Sequence, residues 1–135
     1  MKDINVLLLL TPKTELCCLT DDMNVRQAIE KTKVHSYMAT PVISKQGEYV
    51  GTITEGDLLW KLVEKNYDLE VVTNINIKDV IRKDYTPAVK VDAGSEELIS
   101  AIMEQNFVPV IDDRNILMGI VTRKRVIKAL IDSEA

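Results

Sequence analysis

The chain holds one histidine, His35, and two adjacent cysteines, Cys17 and Cys18. No zinc-ligand spacing can be assembled from that set. A bridge between neighbouring cysteines closes a strained ring, and no third thiol is present. Reduced thiols in a cytoplasmic setting are therefore expected. The run Leu16-Cys17-Cys18-Leu19 is apolar, so small buried thiols in a strand are the reading taken here. Aromatics are scarce too: one Trp, four Tyr and one Phe. That leaves too few for a stacking platform on single-stranded nucleic acid. Basic residues do not dominate either, with 17 Lys and Arg against 21 Asp and Glu. A nucleic-acid partner is accordingly not expected. The longest apolar stretch at the N-terminus, Val6–Leu10, falls far short of the roughly 20 residues that span a bilayer. It lacks the flanks of a secretion signal, and no membrane association is expected.

What is present is 135 residues, 46% of them hydrophobic, with 28% charged. That suits a folded chain with an aliphatic core of Val, Ile, Leu and Met. The strongest signal is internal repetition. Ile4-Asn5-Val6 matches Ile75-Asn76-Ile77, and Asp22 to Ile29 matches Asp92 to Ile99. Pro41-Val42-Ile43 matches Pro109-Val110-Ile111, and Gly51-Thr-Ile-Thr54 matches Gly119-Ile-Val-Thr122. The offsets are 71, 70, 68 and 68, in unbroken order. Duplication explains that; chance does not.

Each copy reads as helix, strand, helix, strand, strand, helix. The short leading helices are Val6–Leu10 and Ile77–Ile81. In the second, Lys78, Asp79, Arg82 and Lys83 give a solvent face. Short strands follow at Leu16–Leu19 and Ala88–Val91. The next helices carry Val25, Ala28, Ile29 and Leu98, Ala101, Ile102 at spacings of three and four. Their start signals are Asp22 or Asn24, and Ser95 with Glu96-Glu97. Hairpins turn over Lys45–Glu48 and Asp112–Asn115. Closing helices run Glu55–Lys65 and Arg123–Ile131. The expected organisation is 1–66, a connection over 67–74, and 75–135.

The repeated segments Asp22 to Ile29, Thr40-Pro41-Val42-Ile43 and Gly51-Thr-Ile-Thr-Glu-Gly-Asp57-Leu58, with their second-half counterparts, resemble a tandem pair of CBS motifs, a Bateman module. The resemblance covers nearly the whole chain. It implies an α/β (α+β) fold of two βαββα motifs related by pseudo-twofold symmetry and packed sheet to sheet. It further implies homodimerisation and regulatory ligands in clefts between motifs: AMP, ADP or ATP, with cyclic di-AMP or S-adenosylmethionine as alternatives. No cofactor for turnover is implied, and no catalytic set is found among the residues. The chain is expected to be a sensor that signals to an effector protein, not an enzyme. The remaining alternative is a constitutive dimerisation scaffold with empty clefts.

The resemblance also directs attention to Gly51, Thr54 and Asp57. Glycine admits close approach, threonine offers a hydroxyl, and aspartate accepts from ribose hydroxyls. On the residues alone, a helix cap at Thr54 and a solvated acid at Asp57 are the favoured explanation of the triplet. The repeat context favours binding. Family geometry would pair the triplet with Thr86, Pro87, Ala88, Asn106, Phe107 and Val108. The second copy has Arg125 where the aspartate would stand. Its site, expected to be weaker and suited to phosphates or a larger, more anionic ligand, would combine Thr122, Arg123 and Arg125 with Cys17, Cys18, Met38, Ala39 and Thr40; a solvated basic face explains the same basic residues equally well. Trp60 is expected at an interface, with packing inside one motif as the alternative, and Leu7–Leu10 is a second candidate surface. His35 is read as a surface residue.

Overall fold

A computed structural model describes residues 4–35 and 39–134. Met38 lies outside the described residues, as does the side chain of His35. The elements in chain order are α1 (Val6–Leu9), β1 (Thr11–Pro12), β2 (Leu19–Thr20), α2 (Val25–His35), β3 (Ala39–Ile43), β4 (Tyr49–Thr54), α3 (Glu55–Glu64), α4 (Leu69–Val72), β5 (Val89–Lys90), α5 (Ser95–Glu104), β6 (Phe107–Ile111), β7 (Leu117–Thr122) and α6 (Arg123–Glu134). Single 3-10 turns occur at Lys13–Glu15 and Ile77–Asp79. The fold is mixed α and β, with two sheets of order β2-β3-β4 and β1-β7-β6-β5.

Two compact units result, and their boundaries differ from those of the repeats. One comprises Cys17–Tyr85; the other combines Met1–Leu16 with Thr86–Ala135. The leading segment of each repeat is thus part of the unit built on the other repeat.

In the Cys17–Tyr85 unit, β2 runs parallel to β3, and β3 antiparallel to β4. The strand expected at Leu16–Leu19 starts later, and the parallel pairing reaches only Val42 and Ile43. Pro41 lies beyond that pairing, where its missing N–H breaks no parallel ladder. Cys17 and Cys18 precede β2 and are half-buried rather than buried in a strand. Asn24 caps α2: its Oδ1 accepts from Gln27 N at 2.8 Å, and Gln27 Oε1 accepts from Asn24 N at 2.9 Å. Asp22, the other candidate cap, takes the Thr20 hydroxyl at 2.6 Å instead. That bond holds the Asp22 carboxyl below its ordinary pKa. The core gathers Leu19, Val25, Ala28, Val42, Ile53, Leu58, Val72 and Ile77. Each Val, Leu or Ile among them contributes about 1.5–3 kcal/mol on burial. Val72 belongs to α4, so the connection expected as a bare linker carries a helical turn with its own core residue. Segment 75–77 docks beside the start of α2, where Val25 N donates to Ile75 O at 2.8 Å and Ile77 N to Met23 O at 3.1 Å.

The other unit repeats this plan with one addition. Strand β5 is parallel to β6, β6 antiparallel to β7, and β1 adds an outer antiparallel strand on β7 through Thr11 and Pro12. Its core gathers Val6, Val89, Leu98, Ile102, Val108, Val110, Val121 and Val126. Ser95 does not cap α5; Gly94 holds that position without a side-chain bond. Ser95 Oγ instead accepts from Ile4 N at 2.6 Å, so the leading segment docks at the start of α5 as 75–77 does at α2.

The two hairpins show how duplication preserves geometry with different residues. Ser44 Oγ accepts from the backbone of Gln46 and Glu48, at 3.2 and 3.1 Å. Asp112 Oδ1 accepts from that of Arg114 and Ile116, at 2.8 and 2.9 Å. The left-handed position is Gly47 (φ 88°) in one and Asn115 (φ 66°) in the other, the two residue types that tolerate it best.

Candidate ligand-binding site

Strand β4 delivers the chain directly into α3, and the junction carries Gly51, Thr54 and Asp57. Thr54 is the N-cap of α3. Its Oγ1 accepts from Asp57 N at 3.0 Å, and Asp57 Oδ2 accepts from Thr54 N at 2.9 Å. This reciprocal box fixes both side chains on one face of the first turn. The capping role therefore exists, and it is also what orients the carboxylate.

The carboxylate is not a solvated acid. Only 11% of the Asp57 side chain is exposed, and Oδ1 lies 3.0 Å from Arg82 Nε. The Arg82 guanidinium in turn stacks over the Tyr85 ring, 3.6 Å from its centroid. Just before this pair, Ile81 lies over Gly51: a Cβ at Gly51 would sit 2.5 Å from Ile81 Cγ2. Glycine is needed here for space, because the segment entering the second repeat crosses the sheet at that point. Arg82 and Tyr85 were not singled out from the sequence. Arg82 reads there as part of a charged solvent face, and only the crossing of the leading segment brings it to Asp57.

The pseudo-equivalent position carries opposite charge and solves the same problem differently. Arg125 N donates to Thr122 Oγ1 at 3.2 Å, so the threonine still caps the helix, α6. Arg125 Nη2 reaches the Leu8 carbonyl at 3.3 Å, at the end of α1. A Cβ on Gly119 would run into the Thr11 carbonyl. In each unit, then, the seventh residue of the glycine-to-helix motif, Asp57 or Arg125, ties α3 or α6 to the crossing segment.

The remaining candidates divide as follows. Gly51, Thr54, Asp57, Cys17, Cys18, Ala39 and Thr40 belong to the Cys17–Tyr85 unit. Thr86, Pro87, Ala88, Asn106, Phe107, Val108, Thr122, Arg123 and Arg125 belong to the other. Thr40 and Thr86 are buried, and Val108 is fully buried in its unit's core. Phe107 is half-buried, and Gln105 Nε2 donates to the carbonyls of Pro87 and Phe107, both at 3.2 Å. Arg123 is engaged internally: Nε donates to Ile102 O at 2.9 Å and Nη1 to Asn106 Oδ1 at 3.0 Å. It closes off the C-terminal end of α5. Asn106 and Arg123, drawn from two different expected pockets, are therefore direct partners. Trp60 is 71% exposed, which excludes packing inside its own motif.

At the start of β4, Tyr49 is half-buried, with its hydroxyl 2.7 Å from Thr52 Oγ1. Burial pushes its phenol up to about 12. Among the described residues no cluster of three His, Cys, Asp or Glu side chains is placed to hold a metal. No described helix is long and apolar enough to cross a membrane.

The CBS domain family matches residues 3–64 and 77–132, and the chain belongs to that family as a tandem pair. Inosine-5'-monophosphate dehydrogenase of Methanocaldococcus jannaschii is 31% identical over 84% of this chain. The match spans only 21% of that enzyme's length. A CBS domain protein of Streptococcus pneumoniae has a similar structure: TM-score 0.85 and 28% identity, over 93% of this chain and 85% of that one. CbpB in complex with c-di-AMP gives 0.85 and 24%, over 96% and 85%. CBSX2 in complex with AMP gives 0.77 and 23%, over 97% and 98%.

Proposed function

We propose that this chain is a regulatory module that binds an adenine nucleotide of the AMP, ADP or ATP type at the β4–α3 junction and signals occupancy to an effector protein. One observation carries the reading. Asp57 is a sheltered carboxylate, oriented by the Thr54 capping box and charge-balanced by Arg82, with lone pairs left to accept from a ribose diol. The AMP complex of CBSX2 and the c-di-AMP complex of CbpB support this class of ligand. The CbpB complex also favours a second reading, in which the ligand is a cyclic dinucleotide. Catalysis is not part of the proposal. A cytoplasmic homodimer is the state in which we expect it to act, through a change in packing that a partner reads.

The test is calorimetry and thermal unfolding with AMP, ADP, ATP, cyclic di-AMP and S-adenosylmethionine. A ligand at a hundred times its Kd should add about 2.7 kcal/mol of stability. A response to one nucleotide, lost in Asp57→Ala, is the expected result. No response to any of them would leave the scaffold reading in its place.

A further inference from the structure

We infer that Arg82 makes this site selective for phosphorylated over unphosphorylated nucleosides, an inference that rests on the nucleotide reading of Asp57. A carboxylate suited to a ribose diol is a poor neighbour for phosphate, because two anions at close range repel. Arg82 removes that conflict. Its Nε pairs with Asp57 Oδ1 as an ion pair at 3.0 Å, and the guanidinium stacks over the Tyr85 ring. Two independent contacts therefore fix its orientation, although half of the side chain is exposed. The Nη1 and Nη2 groups make no hydrogen bond to any described residue. An arginine oriented in this way presents the planar fork that receives a phosphate in two parallel bonds.

The sequence context agrees with that assignment. Arg82 comes from the segment entering the second repeat, whereas Thr54 and Asp57 come from the first. The pseudo-equivalent carboxylate is replaced by Arg125, which is tied to the Leu8 carbonyl. The carboxylate–guanidinium pair therefore exists at one junction only, and diol and phosphate recognition are set side by side there.

The experiment compares AMP with adenosine on the wild-type chain and on Arg82→Gln and Arg82→Lys, by calorimetry at constant ionic strength. Wild type should prefer AMP. Arg82→Gln should lower that preference tenfold or more, the scale of a charge-assisted hydrogen bond, while adenosine affinity is kept or raised. Arg82→Lys should fall between, since it keeps the charge and loses the fork. An unchanged AMP-to-adenosine ratio overturns the inference, whether both affinities fall or both rise. In the first case Arg82 merely props the site, and in the second it merely blocks it.

Failure of wild type to bind either compound would sink the nucleotide reading itself. Inorganic pyrophosphate then decides Arg82 separately, through its Nε–H resonance in nitrogen-15 spectra. A saturable shift supports the anion seat, and none overturns it.

Discussion

Asp57 divides its two carboxylate oxygens between near and distant sequence: Oδ2 takes its own helix cap, and Oδ1 takes Arg82 at 3.0 Å. The residue thus serves the fold and the proposed site together, and substitutions should separate the two roles. Asp57→Ala should cost about 1–2 kcal/mol of stability by urea unfolding, from the lost box and ion pair. It should also weaken a ribose-bearing ligand by roughly 1.5–3 kcal/mol in calorimetry. Thr54→Ala should share the stability loss, and Thr54→Ser should restore most of it. Thr122→Ala should affect binding of a mononucleotide less than Asp57→Ala. Equal losses would place the ligand elsewhere.

Gly51 and Ile81 should behave as a coupled pair. Gly51→Ala drives a methyl against Ile81 Cγ2, and overpacking of this kind costs about 1–3 kcal/mol. Ile81→Ala opens the space, so the double variant should be more stable than the two single losses imply. Gly119→Ala meets the Thr11 backbone instead, and truncating the neighbouring Leu10 should not rescue it. Additivity at Gly51 would show that the crossing segment does not rest there.

Arg123 is a structural clamp as well as a basic residue. Arg123→Met removes its bonds to Ile102 O and Asn106, and a loss of about 1–2 kcal/mol is expected. Hydrogen exchange should speed up first in the last turn of α5. Unchanged protection there would mean that the clamp contributes nothing.

Two groups set pH limits in opposite directions. The Tyr49 phenol is raised from 10.0 to about 12, so the unfolded chain loses that proton first. Its contribution is complete below pH 10 and is lost as pH rises toward 12. Thermal midpoints should therefore fall more steeply over that interval in wild type than in Tyr49→Phe. Phenolate absorbance should also lose a component near pH 12 in the variant. The Asp22 carboxyl is lowered by the Thr20 hydroxyl, so its contribution is present above the ordinary carboxylate value and disappears as acid protonates it. Thr20→Val should flatten that part of the acid limb.

The repeat, the helix and strand types and the glycine-to-helix motif were legible in the sequence because each depends on residues close together in the chain. Spacings of three and four mark α2 and α5, and turn residues mark both hairpins. The exchange of leading segments was not legible. Val6 and Ile77 look like parts of their own repeats, yet each is buried in the core built on the other. A short apolar segment can complete either of two similar cores, and local pattern does not say which. Ser95 likewise reads as a cap until Ile4 claims its hydroxyl.

The sequence by itself determined that two related α/β units form and that one junction carries an aspartate while the other carries Arg125. Only the tertiary structure decided what stands beside that aspartate. The Arg82–Asp57 pair joins residues from different repeats, and its partner is selected by the path of the crossing segment over Gly51. The physical reason is that a capping box is closed by its own turn, whereas a sheltered ion pair needs a core to hold two distant stretches together.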